Sequence, residues 1–164
     1  MEINTEITTK SGTFKVVYRE DSSLLLNDEG VYNKVVHIFG FHEGKMILVN
    51  DGSEHWTPIG GHVEAGESYE EAAIRETHEE SNMKVLSLEF IGVQDVYEEG
   101  GICRQARFFC ITEPYGPFVS DPDGDITEIK LIDPADYKKY FDWKIVGERL
   151  MNQVTEMLRS ELKK

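Results

Sequence analysis

The sequence predicts an α+β protein, a mixed β-sheet packed between helices. Three observations carry this expectation. Strand-like runs recur along most of the 164 residues and are joined mainly by short glycine-containing turns. A capped helix interrupts them near the middle of the chain, and an amphipathic helix closes it. Hydrophobic residues make up 40% and charged residues 29%, a balance that lets a chain of this length bury a core. Interspersed helices and hairpin-linked strands give a mixed sheet covered by helices.

Taken in order, residues 14–18 and 23–26, separated by Arg19-Glu20-Asp21-Ser22, read as an N-terminal hairpin within residues 13–27. Residues 35–41 and 45–49 flank His42-Glu43-Gly44, a three-residue turn with glycine and a strong hairpin signal. Residues 56–66 are punctuated by glycine and read as irregular. Ser68-Tyr69-Glu70-Glu71 spells the Ser-x-x-Glu capping box, so a helix runs from about Ser68 to Ser81. Strands return at 85–97 and 105–112 around Glu98-Glu99-Gly100-Gly101, and 128–132 is a further short strand. Asp133 and Pro134 supply an N-cap and a first helical residue. From Asp142 to about Leu162 the final helix is apolar at Ile145, Val146, Leu150, Val154, Met157 and Leu158. No repeat, low-complexity tract or linker appears, so residues 1–164 read as one domain.

A net charge of −14 argues against a long nucleic acid as partner, because such binding is built from lysine and arginine contacts to phosphate. A small phosphorylated substrate remains compatible if divalent cations stand between its phosphates and the protein's carboxylates. No stretch has the apolar length needed to cross a bilayer. The acidic N-terminus lacks a basic region followed by an apolar run, so a cytoplasmic protein is expected. Cys103 and Cys110 would point to opposite faces of one regular strand, which fits reduced thiols better than a disulfide.

Chemistry concentrates where Gly60-Gly61-His62-Val63-Glu64-Ala65-Gly66-Glu67 leads into Arg75-Glu76-Thr77-His78-Glu79-Glu80. With Glu76 set at 0° on a helix, Glu79 falls at about −60° and Glu80 at about +40°. Three like charges on one turn oppose helix formation, and a hard divalent cation that prefers oxygen is the natural compensation. Arg75, at about −100°, borders the same arc and presents a bidentate fork. Ala73, Ile74 and Thr77 lie on the other side, a modest face for packing on the sheet. Gly60, Gly61 and Gly66 permit a tight loop that can aim carbonyl oxygens at a metal or amides at a phosphate.

This segment resembles the Nudix box, Gly-x5-Glu-x7-Arg-Glu-U-x-Glu-Glu-x-Gly-U, where U is bulky and aliphatic. Gly61, Glu67, Arg75, Glu76, Glu79, Glu80 and Met83 stand at the required positions. Thr77 replaces an aliphatic residue and Asn82 replaces the second glycine; asparagine is the next-best residue for a left-handed helix end. The resemblance implies the Nudix fold, an α-β-α sandwich, and a Mg2+-dependent (or Mn2+-dependent) pyrophosphohydrolase. It further implies Glu76 and Glu80 as metal ligands, Glu79 as ligand or base, and a backbone carbonyl near Gly60 or Gly61 as a further ligand. Glu67 and Arg75 would then hold a carboxylate in its ligating pose.

The general base stays open between Glu79, the Glu98-Glu99 pair and Glu128 at the start of a strand. The substrate would be a nucleotide, ADP-ribose or a nucleotide sugar. A nucleotide sensor is the alternative in kind, although such proteins commonly lose a box carboxylate and this chain keeps all of them. A prenyl diphosphate isomerase would need a catalytic cysteine motif that neither cysteine supplies. His62 is weighed as a phosphate contact. Residues 121–125 start like an EF-hand but place glycine fourth and Ile132 twelfth, which fits a surface turn instead. The N-terminal hairpin offers a pairing surface for a homodimer.

Overall fold

The structure, a computed structural model, describes residues 1–118, 121 and 124–164. Alternation along three adjacent strands divides the core into two layers. In β3 (Val31–His42), Val36 and Ile38 join one hydrophobic cluster while Phe39 and Phe41 join another. In β4 (Lys45–Asn50) the first cluster takes Ile47 and Val49, and the second takes Met46 and Leu48. β8 (Gly101–Pro114) divides Ala106, Phe108 and Cys110 from Phe109 in the same way. A period of two thus presents an apolar surface on both faces, and each face needs a cover.

Helices supply the covers. Tyr69, Ala72 and Ala73 of α1 (Tyr69–Ser81) pack on the first face. Val146, Leu150, Met151, Val154 and Leu158 of α2 (Lys144–Leu162) pack on the second. Leu150 is fully buried, and burial of such a side chain stabilises by about 1.5–3 kcal/mol. Between them the main path of the sheet runs β1 (Glu2–Thr9), β2 (Gly12–Arg19), β7 (Met83–Glu98), β8, β3, β4, β5 (Trp56–Thr57). Off that path β6 (Ile59–His62) pairs with β3 and β9 (Glu128–Ile132) pairs with β4. β3 and β8 are parallel while the other pairings among the described residues are antiparallel. This is the α-β-α sandwich with a mixed sheet that the sequence predicts.

Several local expectations change. β2 turns back on β1, with Glu2 opposite Arg19, so the hairpin expected within residues 13–27 is replaced by one over residues 2–19. Residues Ser22–Leu26 form a short 3-10 helix whose N-cap, Asp21, accepts from the Ser23 amide. That cap gives the local backbone an alternative to a strand. The β3–β4 turn is two residues, Glu43 and Gly44, both with positive φ of 48° and 77°, because His42 already pairs with Lys45. Residues 56–66 contain β5 and β6 rather than an irregular loop. Ile74 and Ile145, assigned to packing faces from the sequence, are exposed at 47% and 54%. Of residues 121–125, expected to form a surface turn, 122 and 123 lie outside the described residues. No helix among the described residues is long and apolar enough to cross a membrane.

Both departures from the box pattern have local explanations. Thr77 is fully buried and its hydroxyl donates to Ala73 O at 2.7 Å, so a polar group sits in the core satisfied. Asn82 ends α1 at φ 55°, ψ 36°, and its side-chain amide donates to the carbonyls of Gly116 and Pro117. It performs the left-handed stop of a glycine and also ties down the chain after β8.

Candidate functional site

The site begins with the start of α1. Ser68 accepts from the Glu71 amide while the Glu71 side chain accepts from the Ser68 amide, a complete capping box. This fixes the helical phase and therefore which residues face the β6 loop. Arg75 stands at the centre. Its Nε and Nη2 donate to the two oxygens of Glu67 at 2.7 and 3.0 Å, a bidentate fork, and Nη2 also donates to His62 O at 3.0 Å. Its Nη1 donates to Glu76 at 2.9 Å and Glu79 at 3.1 Å. The Arg75 hydrogen bond holds the Glu67 carboxyl below the usual carboxylate range. That bond is also the foremost cause raising the guanidinium pKa, so the arginine is a permanent charge here.

Strand β6 meets the helix with no side chains in the way. A Cβ on Gly61 would lie 2.3 Å from a Glu76 carboxylate oxygen. One on Gly60 would lie 2.7 Å from the His37 ring on the opposite face of the sheet. The double glycine therefore lets a carboxylate and an imidazole reach the same backbone from two sides. Glu80 accepts from the Gly60 amide at 3.0 Å. Burial pushes its pKa up to about 8, with repulsion from Glu76, Asp121 and Glu79 adding to the effect. Glu76 is also raised, first by burial, with Arg75 pulling the other way.

A cleft of about 470 Å³ collects these groups, lined by Gly60, Gly61, Arg75, Glu76, Glu79 and Glu80. Asp51, Asp121, Gly124 and Asp125 form its other wall. Residues 121–125, expected from the sequence to be a surface turn, thus contribute Asp121 and Asp125 to the cleft. They arrive because β9 pairs with β4, which brings the segments after β4 and before β9 together. That pairing is tertiary, and the only local signal was the density of aspartate. Glu128 is not brought in: it is exposed, opposite Asn50, and is absent from the cleft lining. Glu98 lies across the sheet, accepting from the Tyr32 hydroxyl at 2.5 Å, and Glu98 and Glu99 are likewise outside the cleft. His62, weighed as a phosphate contact, does line the cleft, where it is exposed and pairs with Asn33, while His78 packs against Tyr115 and does not. Cys103 and Cys110 are buried free thiols, and neither lines the cleft.

Among the described residues, no three acidic, histidine or cysteine groups converge tightly enough to hold an ion as they stand. The reason is visible. Arg75 draws Glu76 and Glu79 to itself, and Glu80 is turned to Gly60. The donor chemistry nevertheless fits a hard divalent cation: carboxylate oxygens beside a bare glycine backbone. Glu80 is a half-buried carboxylate that accepts from the Gly60 amide and has no basic side chain paired to it among the described residues.

Comparison with known proteins gives the same picture. The chain is 44% identical over 46 residues to bis(5'-nucleosyl)-tetraphosphatase [asymmetrical] of Mus musculus, a match covering 28% of this chain and 31% of the relative. It is 38% identical over 61 residues to the NAD-capped RNA hydrolase NudC of Photorhabdus laumondii, covering 35% of this chain and 24% of the relative. The chain therefore spans about a third or less of the length of these curated relatives. A crystal structure of a Bacillus subtilis pyrophosphohydrolase superposes with a TM-score of 0.64 at 22% identity, covering 79% of this chain and 77% of that one. That likeness shows the fold. The NUDIX domain family model matches residues 32–153, which include both glycines, α1 and the acidic cleft, and the chain belongs to the NUDIX family.

Proposed function

We propose that the protein is a Mg2+-dependent pyrophosphohydrolase that cleaves the diphosphate linkage of a nucleoside diphosphate joined to another group. The observation that carries this reading is that Glu76 and Glu80 lie against the bare backbone of Gly61 and Gly60 while Glu79 lines the same cleft, with Arg75 gripping Glu76 and Glu79. Family membership and the acidic donor set together favour a divalent cation, Mg2+ or Mn2+. Glu76, Glu80 and the Gly61 carbonyl would hold it. When bound, such a cation neutralises charge on the phosphate oxygens and lowers the pKa of the attacking water.

The protein's own residues do the positioning. Glu67 anchors Arg75, and Arg75 restrains Glu76 and Glu79. Glu79 is the favoured base: it lines the cleft at 24% side-chain exposure, and one of its oxygens is held by Arg75. Water attacks one phosphorus, the bridging P–O bond breaks, and two phosphorylated products leave. Glu128, exposed outside the cleft, has no part in this reading. A small substrate suits a chain of net charge −14 better than a long polyanion.

The test is a hydrolysis screen across nucleoside triphosphates, ADP-ribose, dinucleoside polyphosphates and nucleotide sugars, with Mg2+, with Mn2+ and with a chelator. The expected result is turnover of at least one class that stops on chelation and returns with added cation. Turnover unaffected by chelation, or none with either cation, would reject the proposal.

A further inference from the structure

Arg107 is an exception among the arginines. Arg19, Arg75, Arg104, Arg149 and Arg159 each pair with a carboxylate. Arg107 is 3% exposed, has no carboxylate partner among the described residues, and its Nη1 has no hydrogen-bond partner there at all. In a chain with 31 acidic residues this is not a shortage of anions. Desolvation brings its pKa down to about 10, a measure of how unfavourable the site is for an uncompensated cation. Its other nitrogens are fixed. Nε donates to His37 Nδ1 at 3.1 Å, Nη2 donates to Gln105 Oε1 at 3.1 Å, and the guanidinium lies 5.2 Å over the Trp143 ring. A rigidly held group with one buried nitrogen, Nη1, whose two N–H donors lack a partner is arranged to meet something.

Arg107 lines a cavity of about 360 Å³ on the α2 face of the sheet, within the size range of small-molecule sites. This cavity shares His37 and Trp143 with a second hollow, and that hollow shares Gly60, Gly61 and Glu80 with the acidic cleft. The strand register gives the distance. Gly60 lies opposite His37, and His37 lies opposite Arg107, so the arginine strand is two strand spacings, about 10 Å, from the metal loop. That span suits a nucleotide whose diphosphate lies in the acidic cleft and whose base lies beyond the ribose.

We propose that Arg107 reads the nucleobase, its Nη1 donating to the 6-carbonyl oxygen of guanine or hypoxanthine, and that the enzyme prefers 6-oxopurine nucleotides to adenine nucleotides. This deepens the nucleotide reading above and rests on it. A phosphate is the poorer occupant, because the carboxylates of Glu6 and Asp142 line the cavity and its one lysine, Lys144, is already paired with Asp142 at 3.4 Å. The paired amides of Gln94 and Gln105, with Gln94 Nε2 donating to Gln105 Oε1 at 2.9 Å, are groups that complement the mixed donor and acceptor edge of a base. Adenine presents an amino donor where guanine presents the carbonyl, so donor would face donor.

The experiment compares kcat/KM for guanosine, inosine and adenosine versions of the same nucleoside triphosphate and the same sugar-linked diphosphate. Guanosine and inosine versions should exceed the adenosine version by about 10-fold to 100-fold. Arg107→Met should bring that ratio close to one, and Arg107→Lys should not restore it. The melting temperature of Arg107→Met should be unchanged or raised, since a buried cation without a partner has been removed. Adenosine hydrolysed as fast as guanosine, a preference that survives Arg107→Met, or a marked fall in that variant's melting temperature would overturn the assignment. Hydrolysis of no nucleotide in the series would instead overturn the parent reading, and this one with it.

Discussion

Arg75 shows how much one side chain determines at the residue scale. It donates to Glu67, Glu76, Glu79 and the His62 carbonyl, using the planar fork that only arginine has. Lysine carries the same charge but cannot grip Glu67 with two donors while reaching Glu76 and Glu79 with a third. Arg75→Lys is therefore expected to lower kcat/KM by about 10-fold to 100-fold, the usual effect of removing the partner that orients a ligand. Steady-state kinetics at saturating Mg2+ test this, and wild-type rates would contradict it. The acidic cluster was legible in the sequence because its spacing is set by one turn of helix, a local geometry. Asp51, Asp121 and Asp125 were not, since pairing between distant strands brings them to the cleft. Arg107 was hidden for a different reason: a letter string does not show that a buried charge lacks a partner.

Among the elements, α2 is joined to the sheet by more than apolar packing. Arg149 donates from Nε and Nη2 to both oxygens of Glu20 at 2.9 Å each, and the buried Tyr18 hydroxyl donates to the same carboxylate. Burial acts to raise the Glu20 pKa, but the Arg149 and Tyr18 bonds outweigh it and the folded value lies below 4.5. A depressed carboxyl contributes stability that is present above the unfolded value and is lost as pH falls through the folded one. Glu20→Gln should thus cost about 1–3 kcal/mol at neutral pH. The gap from wild type should close as pH drops below about 4.5. Denaturant unfolding at several pH values measures it, and a gap that does not change with pH would contradict the account. Element by element, capping boxes and period-two runs were readable, whereas the N-terminal hairpin was not. Its first strand, Glu2–Thr9, is largely polar and exposed, so no apolar alternation announced it. The apolar run at residues 23–26 was a false strand signal because the Asp21 cap turns it into a 3-10 helix.

For the whole molecule, the parallel contact of β3 with β8 decides the layout. It places Arg107 on one side of His37 while the β3–β6 pairing places Gly60 on the other, so the acidic cleft and the Arg107 cavity connect around the β6 strand. The mixed sheet and its two covers followed from the order of helices and strands. The parallel pairing did not, because it joins segments about seventy residues apart. The central claim, metal-dependent cleavage of a diphosphate by the box carboxylates, is tested most directly by kcat/KM of Glu80→Gln measured beside its melting curve. The account predicts a loss of about 100-fold or more with the melting temperature unchanged or higher, since the glutamine oxygen can still accept from the Gly60 amide and leaves no carboxylate whose ionisation burial opposes. Full Mg2+-dependent activity in a folded Glu80→Gln protein would contradict it.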